Sequence, residues 1–119
     1  MSQTFRIYHN PRCSKSRETL KLLQDHGIEP EVVLYLETPP TAAELETLLG
    51  QLGLSARELL RSGEEAYQAL NLKDPALPEQ QLIQAMVEHP KLIQRPIVVK
   101  GDHAALGRPP EAVLELIQS

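Results

Sequence analysis

The stretch of sequence that decides the fold surrounds the only cysteine of the chain and reads Tyr8-His9-Asn10-Pro11-Arg12-Cys13-Ser14-Lys15-Ser16-Arg17. An apolar-alternating run with Phe5 and Ile7 stops at Asn10-Pro11, and a helical pattern begins directly after the thiol. This order predicts a strand, a tight loop, the thiol and then a helix N-terminus. A cysteine in that position faces unpaired backbone N–H groups and the positive end of the helix dipole, which both favour the thiolate.

The charges around the cysteine also favour the thiolate. Arg12, Lys15 and Arg17 lie close to Cys13 in sequence, and no acidic residue occurs between Ser2 and Arg17. The pattern therefore predicts a reactive cysteine whose substrate is an anion. The alternative is that a lone cysteine serves as a small buried apolar residue.

Length and composition exclude several classes of protein. The chain has 119 residues, a net charge of −4 and only 3% aromatic residues, with no basic block, so we expect no nucleic-acid partner. No apolar stretch approaches the roughly 20 residues needed to span a bilayer, so we expect no membrane partner. A single cysteine cannot form an internal disulfide, and a free thiol suits the cytoplasm. The four histidines lie far apart in sequence, so no metal centre is expected.

The N-terminal part of the chain has the pattern of a β-α-β unit. Residues 4–8 predict a strand, and residues 14–26 predict a helix that ends at Gly27. The run from Glu31 to Leu36 predicts a buried strand. A unit of this length implies two parallel neighbouring strands.

The remainder predicts a helical insertion followed by two strands and a helix. The insertion covers about 41–89 and contains capping-box patterns at Thr41 and Ser55. Strands are expected at 96–99 and 104–107, before a final helix whose inward residues are Val113, Leu114 and Ile117. We therefore expect a single domain over 1–119 with an α/β, thioredoxin-like (glutaredoxin-like) fold. Its mixed four-stranded sheet has the helical insertion between strands 2 and 3.

Arginines outside the cysteine loop are candidate anion ligands. Pro96 begins an interior strand, where thioredoxin-like folds place a cis-proline facing the thiol, and this would hold Arg95 close to Cys13. The alternative places Arg95 on the surface before an edge strand. Arg108 ends the fourth strand, close to the end of strand one. A planar guanidinium binds a tetrahedral oxyanion through two parallel hydrogen bonds.

The other arginines have weaker support from the local pattern. Arg61 lies in the insertion, and its proximity to the site does not follow from the pattern. Arg6, Arg12 and Arg57 are expected to be solvated surface residues.

Two polar residues flank the thiol. His9 either lowers the pKa of the cysteine as an imidazolium or holds the loop by a hydrogen bond, and these roles are favoured over that of a general base. Ser16 lies one helical turn after Cys13, where its hydroxyl can donate to the sulfur. Because position 16 is serine, a C-x-x-C disulfide cannot form, and an oxidised Cys13 needs an external thiol.

Six motifs in order resemble the glutaredoxin-dependent arsenate reductase family of the ArsC/Spx superfamily, and its housekeeping ArsC-like branch in particular. They are Tyr8-His9-Asn10-Pro11-x-Cys13-x-x-Ser16-Arg17, Leu34-Tyr35-Leu36, Leu59-Leu60-Arg61, His89-Pro90, Arg95-Pro96-Ile97-Val98-Val99 and Gly107-Arg108-Pro109. The resemblance runs from about residue 4 to residue 117. It implies a thioredoxin-like fold with a helical insertion, and reduction of arsenate to arsenite with electrons from glutathione and glutaredoxin.

The resemblance also assigns roles to individual residues. Cys13 is similar to the nucleophile that forms a covalent thio-arsenate. Three arginines fall on oxyanion-binding positions (Arg61, Arg95 and Arg108), and three residues fall on positions that tune the cysteine (His9, Ser16 and Arg17). The expected partners are arsenate or a similar oxyanion, glutathione as co-substrate and glutaredoxin. We expect no bound cofactor and a cytoplasmic monomer.

Two other functions remain open from the sequence. One is an Spx-like thiol-based regulatory protein that binds RNA polymerase, although such sensors commonly use the C-x-x-C switch that this chain lacks. The other is a glutathione-dependent thiol-transfer protein, which needs no arginine cluster. Activity that survives replacement of all three arginines by alanine would favour thiol transfer.

Overall fold

The structure is a computed structural model that describes residues 4–118. The helices and strands in chain order are β1 (Phe5–Tyr8), α1 (Ser14–Asp25), β2 (Glu31–Val33), α2 (Ala42–Leu52), α3 (Ala56–Leu59), α4 (Glu65–Ala69), α5 (Glu79–Glu88), β3 (Ile97–Lys100), β4 (His103–Leu106) and α6 (Leu114–Gln118). Short 3-10 helices cover Pro90–Leu92 and Pro110–Val113. The chain forms two compact units: one combines the chain up to Thr38 with the chain from Arg95 onward, and the other is Pro39–Gln94.

The first unit contains a four-stranded mixed sheet with strand order β2-β1-β3-β4. Strand β1 is parallel to β2 and antiparallel to β3, and β3 is antiparallel to β4. Helices α2–α5 follow β2 and precede β3 in the chain. The predicted α/β, thioredoxin-like fold with a helical insertion between strands 2 and 3 is therefore confirmed.

The core of this unit lies between the sheet and its helices. Ile7 and Val98 are register partners on β1 and β3, and both are fully buried. They pack in one cluster with Leu23, Val113 and Leu116. Burying each side chain of this size stabilises the fold by about 1.5–3 kcal/mol. The cluster thus fixes α1, and the thiol at its start, against the central strands.

The predicted end of the first helix is confirmed. Gly27 has a φ of +77°, the left-handed conformation that a residue without a Cβ adopts at little cost. Its N–H donates to the Gln24 carbonyl, and the Ile28 N–H donates to the Leu23 carbonyl. These bonds form a Schellman motif, which satisfies the last carbonyls of the helix.

The prediction of a buried strand from Glu31 to Leu36 is wrong in length and burial. Strand β2 ends at Val33 and lies at the sheet edge. It pairs with β1 alone, and the chain turns at Leu34, whose carbonyl accepts N–H groups from the turn that follows. Of this run only Tyr35 is buried, and three aliphatic side chains are exposed: Val32, Leu34 and Leu36.

The predicted inward face of the C-terminal helix is partly wrong. Val113 is fully buried, but Leu116 is the second buried residue, while Leu114 and Ile117 are only half-buried. The segment begins as a 3-10 helix at Pro110–Val113 before α6. A 3-10 turn has three residues instead of 3.6, so it changes which later residues face the core.

The second unit is helical. It also contains an antiparallel β-bridge between Leu60, which follows α3, and Ile93. The predicted capping boxes are both present: Thr41 bonds reciprocally with Glu44, and Ser55 with Glu58. Its buried apolar residues are Leu45, Leu48, Leu49, Ala56, Leu59, Leu60, Leu72, Leu82, Ile83, Ala85, Met86, Leu92 and Ile93. Within residues 4–118, no helix is long and apolar enough to cross a membrane.

Arg57 corrects one expectation about the surface. Its Nη1 and Nη2 donate 2.8 Å hydrogen bonds to the carbonyls of Leu72 and Asp74, and the side chain is half-buried. Arg57 therefore ties a loop to α3 and is not a solvated surface residue. Local sequence patterns do not predict these bonds, because the accepting carbonyls lie 15 and 17 residues away.

Candidate active site

The loop before α1 places the thiol at the helix N-terminus. The Cys13 N–H donates to the Asn10 carbonyl at 3.0 Å and closes a turn with Pro11 at its second position, where the fixed φ of proline fits. The Asn10 side chain also accepts the Arg12 N–H at 3.0 Å. Cys13 has extended backbone angles and is the N-cap residue of α1. The sequence predicted this arrangement of loop, thiol and helix.

The electrostatic surroundings of Cys13 favour the thiolate. Partial burial disfavours the charged sulfur, but four other interactions outweigh it and hold the pKa of Cys13 below its usual value. These are the Ser16 N–H, the positive charge of Arg95, the Lys15 N–H and a hydrogen bond from the Arg95 side chain. The two backbone groups occupy the second and third helical positions, which point toward an N-cap side chain. The helix start and one arginine thus act together on the sulfur.

Arg95 is the most unusual side chain near the thiol. Its Nε and Nη1 are buried and have no hydrogen-bond partner in the part of the chain that the structure describes. Those two nitrogens carry three of the five N–H donors of a guanidinium. Buried donors without an acceptor are costly, at about 1–3 kcal/mol or more each for a charged group. Arg95 therefore keeps unused donors in a side chain that also favours the negative charge of Cys13.

Arg108 lies beside Arg95. Its Nη1 donates to the Arg95 carbonyl at 3.4 Å, and the side chain is otherwise exposed. The peptide bonds Arg95–Pro96 and Arg108–Pro109 are both cis. The structure thus brings two of the three sequence-predicted arginines together, and we call them the arginine pair.

The third arginine belongs to the other compact unit. The Arg61 N–H donates to the Leu92 carbonyl, and its Nη1 forms a 2.9 Å ion pair with Glu64. Both side chains of this pair are about one-quarter exposed (27% and 26%). Arg61 is therefore held by an acidic partner within the insertion.

His9 and Ser16 form a buried hydrogen-bonded pair behind the loop. Their Nδ1 and Oγ atoms are 2.7 Å apart, and the Ser16 oxygen also accepts the Asn10 N–H at 3.0 Å. Burial lowers the pKa of His9, and the charge of Arg17 lowers it further, which favours the neutral ring. We assign the ring proton to Nε2, so that the hydroxyl donates to Nδ1. Of the two roles considered for His9, the loop-holding hydrogen bond is the one present.

With the ring proton on Nε2, the Ser16 hydroxyl proton is engaged by His9. The Cys13 sulfur interacts with the backbone N–H of Ser16. Arg17 is exposed, and its Nη1 donates to the Pro11 carbonyl at 2.8 Å. This bond therefore stabilises the loop between β1 and α1.

A pH dependence of stability follows from the lowered pKa of His9. The unfolded chain binds a proton at the ordinary value of 6.5, whereas the folded protein resists protonation. This contribution to stability is therefore present above about pH 6.5 and is lost as the pH falls toward the lower folded-state pKa. The free energy of unfolding, measured with urea from about pH 8 to 5, should decline toward acid pH, and this decline should be smaller in His9→Gln.

The matched control for that experiment is His103→Gln, because His103 is exposed. It should keep the acid dependence of the parent protein. An equal decline in His9→Gln and the parent would contradict the assignment of a neutral buried ring.

The sequence reasoning missed Thr19 and gave no separate role to Gly107. Thr19 is fully buried, and its hydroxyl donates to the Lys15 carbonyl at 2.8 Å and lies 3.5 Å from the Gly107 carbonyl. The buried residues of α1 are Ser16, Thr19 and Leu23. The available signal was the helical spacing of Ser16, Thr19 and Leu23, which places two hydroxyl residues on the buried face of α1.

Chemically, the site combines a thiol of lowered pKa, a helix N-terminus and a guanidinium with unpaired donors. Such a set is suited to binding an oxyanion next to the sulfur. Among residues 4–118, no group of three or more His, Cys, Asp or Glu side chains is arranged to hold a metal ion.

Comparisons with known proteins agree with one another. The model of the ArsC family matches residues 8–116. "Uncharacterized protein YfgD" of Escherichia coli (strain K12) is 62% identical over 118 residues, with 98% of this chain and 99% of that protein covered. "Arsenate reductase" of Haemophilus influenzae is 48% identical over 112 residues, with 93% and 97% covered. The solved structure of "Arsenate reductase from Vibrio cholerae" is 55% identical, with a TM-score of 0.93 and 97% and 98% covered. Since the family model spans most of the sequence and these relatives match it almost end to end, the chain belongs to the ArsC family.

Proposed function

We propose that the protein reduces arsenate to arsenite, with Cys13 as the nucleophile. The observation that carries the proposal is the pair of buried, unpartnered nitrogens of Arg95 beside a thiol of lowered pKa. Arsenate is a tetrahedral oxyanion whose oxygens accept guanidinium and backbone N–H bonds together. Relatives at 48% and 55% identity carry the name arsenate reductase, which supports this choice of oxyanion.

The first step forms a sulfur–arsenic bond. The Cys13 thiolate attacks arsenic(V), and one arsenate oxygen leaves as water after it takes up protons. The N–H groups of the helix start and the guanidinium of Arg95 bind the remaining oxygens, whose charge grows in the transition state. Arg108, which is exposed and bonds the Arg95 carbonyl, is the second cation that we propose for the oxyanion. The family resemblance adds Arg61 to the oxyanion ligands, and the kinetics of Arg61→Met test that assignment.

The electrons come from two external thiols. Glutathione adds to the arsenic and releases a second water, and the thiolate of glutaredoxin then attacks the glutathione sulfur. The pair of electrons from the broken sulfur–arsenic bond reduces arsenic(V) to arsenic(III), and glutathione leaves as a mixed disulfide with glutaredoxin. Hydrolysis frees arsenite and returns Cys13 as a thiol. Because position 16 is serine, no internal disulfide competes with this route. The proposed use of glutathione fits a location in the reducing cytoplasm.

Coupled turnover with a cysteine variant tests the proposal. Purified protein with glutathione, glutaredoxin and glutathione reductase should oxidise NADPH only when arsenate is present. Cys13→Ser should abolish this turnover, because an alcohol does not ionise in this pH range. Ser14→Ala, which changes an exposed neighbour, is the matched control and should retain activity. If folded protein with a titratable thiol shows no turnover at millimolar arsenate, the function moves to thiol transfer or thiol-based regulation.

A further inference from the structure

Three residues from distant parts of the chain meet next to the arginine pair. Gly107 directly follows β4, and its N–H donates to the Pro96 carbonyl at 2.9 Å. Its carbonyl lies 3.5 Å from the Thr19 hydroxyl on α1. We call these residues, Thr19, Pro96 and Gly107, the corner.

The corner is packed too closely to accept a larger residue. A Cβ on Gly107 would lie 2.5 Å from Thr19 Oγ1, 2.7 Å from Pro96 Cγ and 3.0 Å from Thr19 Cγ2. Real Cβ atoms keep more than 3.0 Å from such neighbours. Gly107 has no left-handed φ that demands glycine, so the close approach of α1 and Pro96 is the reason for the missing side chain.

The corner is joined in sequence to both arginines and to the helix of the thiol. Arg95 directly precedes Pro96, and Arg108 directly follows Gly107. Thr19 lies six residues after Cys13 on α1, and its hydroxyl also bonds the Lys15 carbonyl in the first turn of that helix. The corner therefore links the two arginines to the helix that begins after the thiol.

We propose that the corner is the positioning device of the oxyanion site, with Thr19 and Gly107 as positioning residues that set the arginine pair against the Cys13 sulfur. The proposal rests on the proposed function only for the identity of the oxyanion. The interiors of proteins are close-packed, so an added methyl group displaces whole elements instead of compressing them. Here the elements that separate carry the nucleophile on one side and its cationic partners on the other.

The test adds a methyl group at the corner. Gly107→Ala should shift the midpoint of the Cys13 thiolate titration upward, because Arg95 moves away from the sulfur. It should also weaken the protection that arsenate gives Cys13 against alkylation, by about 10- to 100-fold in the arsenate concentration needed. Gly50→Ala is the matched control, because nothing lies within 4 Å of a Cβ at Gly50. It should change neither measurement.

A second variant and a rescue separate positioning from general damage. Thr19→Ala removes the contact without a clash and suits a helix, so it gives a folded protein for the same two measurements if Gly107→Ala does not fold. We expect a smaller shift in the same direction. In the double variant Thr19→Ala/Gly107→Ala, two of the three close contacts are gone. The thiol midpoint and the arsenate concentration needed for protection should therefore both return part of the way to the values of the parent protein. A double variant no better than Gly107→Ala would contradict the proposal.

The titration keeps this proposal distinct from the proposed function. If the protein binds no arsenate at all but its thiol midpoint rises in Gly107→Ala, the arsenate assignment is overturned and the positioning role of the corner is supported. Folded Gly107→Ala and Thr19→Ala with an unchanged thiol midpoint would overturn the corner, whatever the activity.

Discussion

Arg95→Met should reduce kcat/KM for arsenate by about 10²- to 10³-fold, the usual effect of removing one preorganised donor from an oxyanion site. Arg95 contributes both a charge and a hydrogen bond to the Cys13 sulfur, and its Nε and Nη1 are buried with no protein partner among residues 4–118. Methionine fills a similar volume but supplies no donor. The loss should therefore appear in the rate of the first step as well as in arsenate binding.

The same variant should raise the pKa of Cys13. Burial of the thiol favours the neutral form and persists in Arg95→Met, whereas the charge and the hydrogen bond that oppose it are removed. Only the N–H groups of Ser16 and Lys15 then remain to favour the thiolate. The rate of alkylation by iodoacetamide against pH measures this midpoint without arsenate.

Two comparisons make the Arg95 prediction specific. Arg12→Met removes one exposed cation directly before the thiol, and Arg12 is not among the groups that shift the pKa of Cys13. It should behave nearly as the parent protein. Arg95→Lys keeps the charge but loses the planar guanidinium. Compared with Arg95→Met, it should therefore bring the pKa of Cys13 closer to the parent value than it brings the turnover of arsenate. If Arg12→Met and Arg95→Met change kcat/KM and the pKa of Cys13 by the same small amount, the thiol responds to net positive charge and not to Arg95 in particular.

Local patterns in the sequence were sufficient to predict the elements that local interactions determine. The position of Cys13 follows from a strand that stops, a proline turn and a helical pattern, all within a few residues. The capping boxes at Thr41 and Ser55 and the helix end at Gly27 are local in the same sense. Each depends on backbone groups no more than five residues away, so no knowledge of the tertiary structure was needed.

The errors arose where a distant segment determines the environment. The exposure of Val32 depends on β2 being an edge strand, which is decided by the order of all four strands. The roles of Thr19 and Gly107 depend on a contact between residues 88 positions apart. The unpaired donors of Arg95 are equally invisible to pattern reasoning, because no residue type marks a missing partner. The sequence thus predicts Cys13 as the nucleophile and names candidate ligands, whereas the contacts around these residues appear only in the tertiary structure.

Ser16→Ala should lower the free energy of unfolding by about 2–4 kcal/mol, although it removes a single oxygen atom. That oxygen is fully buried and serves two groups at once: it bonds His9 Nδ1 at 2.7 Å and accepts the Asn10 N–H at 3.0 Å. Alanine leaves both groups without a partner in a site that water does not reach easily. Each buried polar group left unsatisfied costs about 1–3 kcal/mol. Urea unfolding at neutral pH measures the loss.

The prediction is sharpened by the neighbouring serine of the same helix. Ser14→Ala changes the same atom at an exposed position in the first turn, so its effect on unfolding should stay within about 0.5 kcal/mol. In a double-mutant cycle, His9→Phe should recover part of the loss of Ser16→Ala, because it removes the ring nitrogen that alanine leaves unpaired. The Asn10 N–H remains unpaired in every variant that lacks the hydroxyl, so recovery should be incomplete. A cost for Ser16→Ala no larger than that of Ser14→Ala would mean that water replaces the hydroxyl, and that the loop before Cys13 is not held by this oxygen.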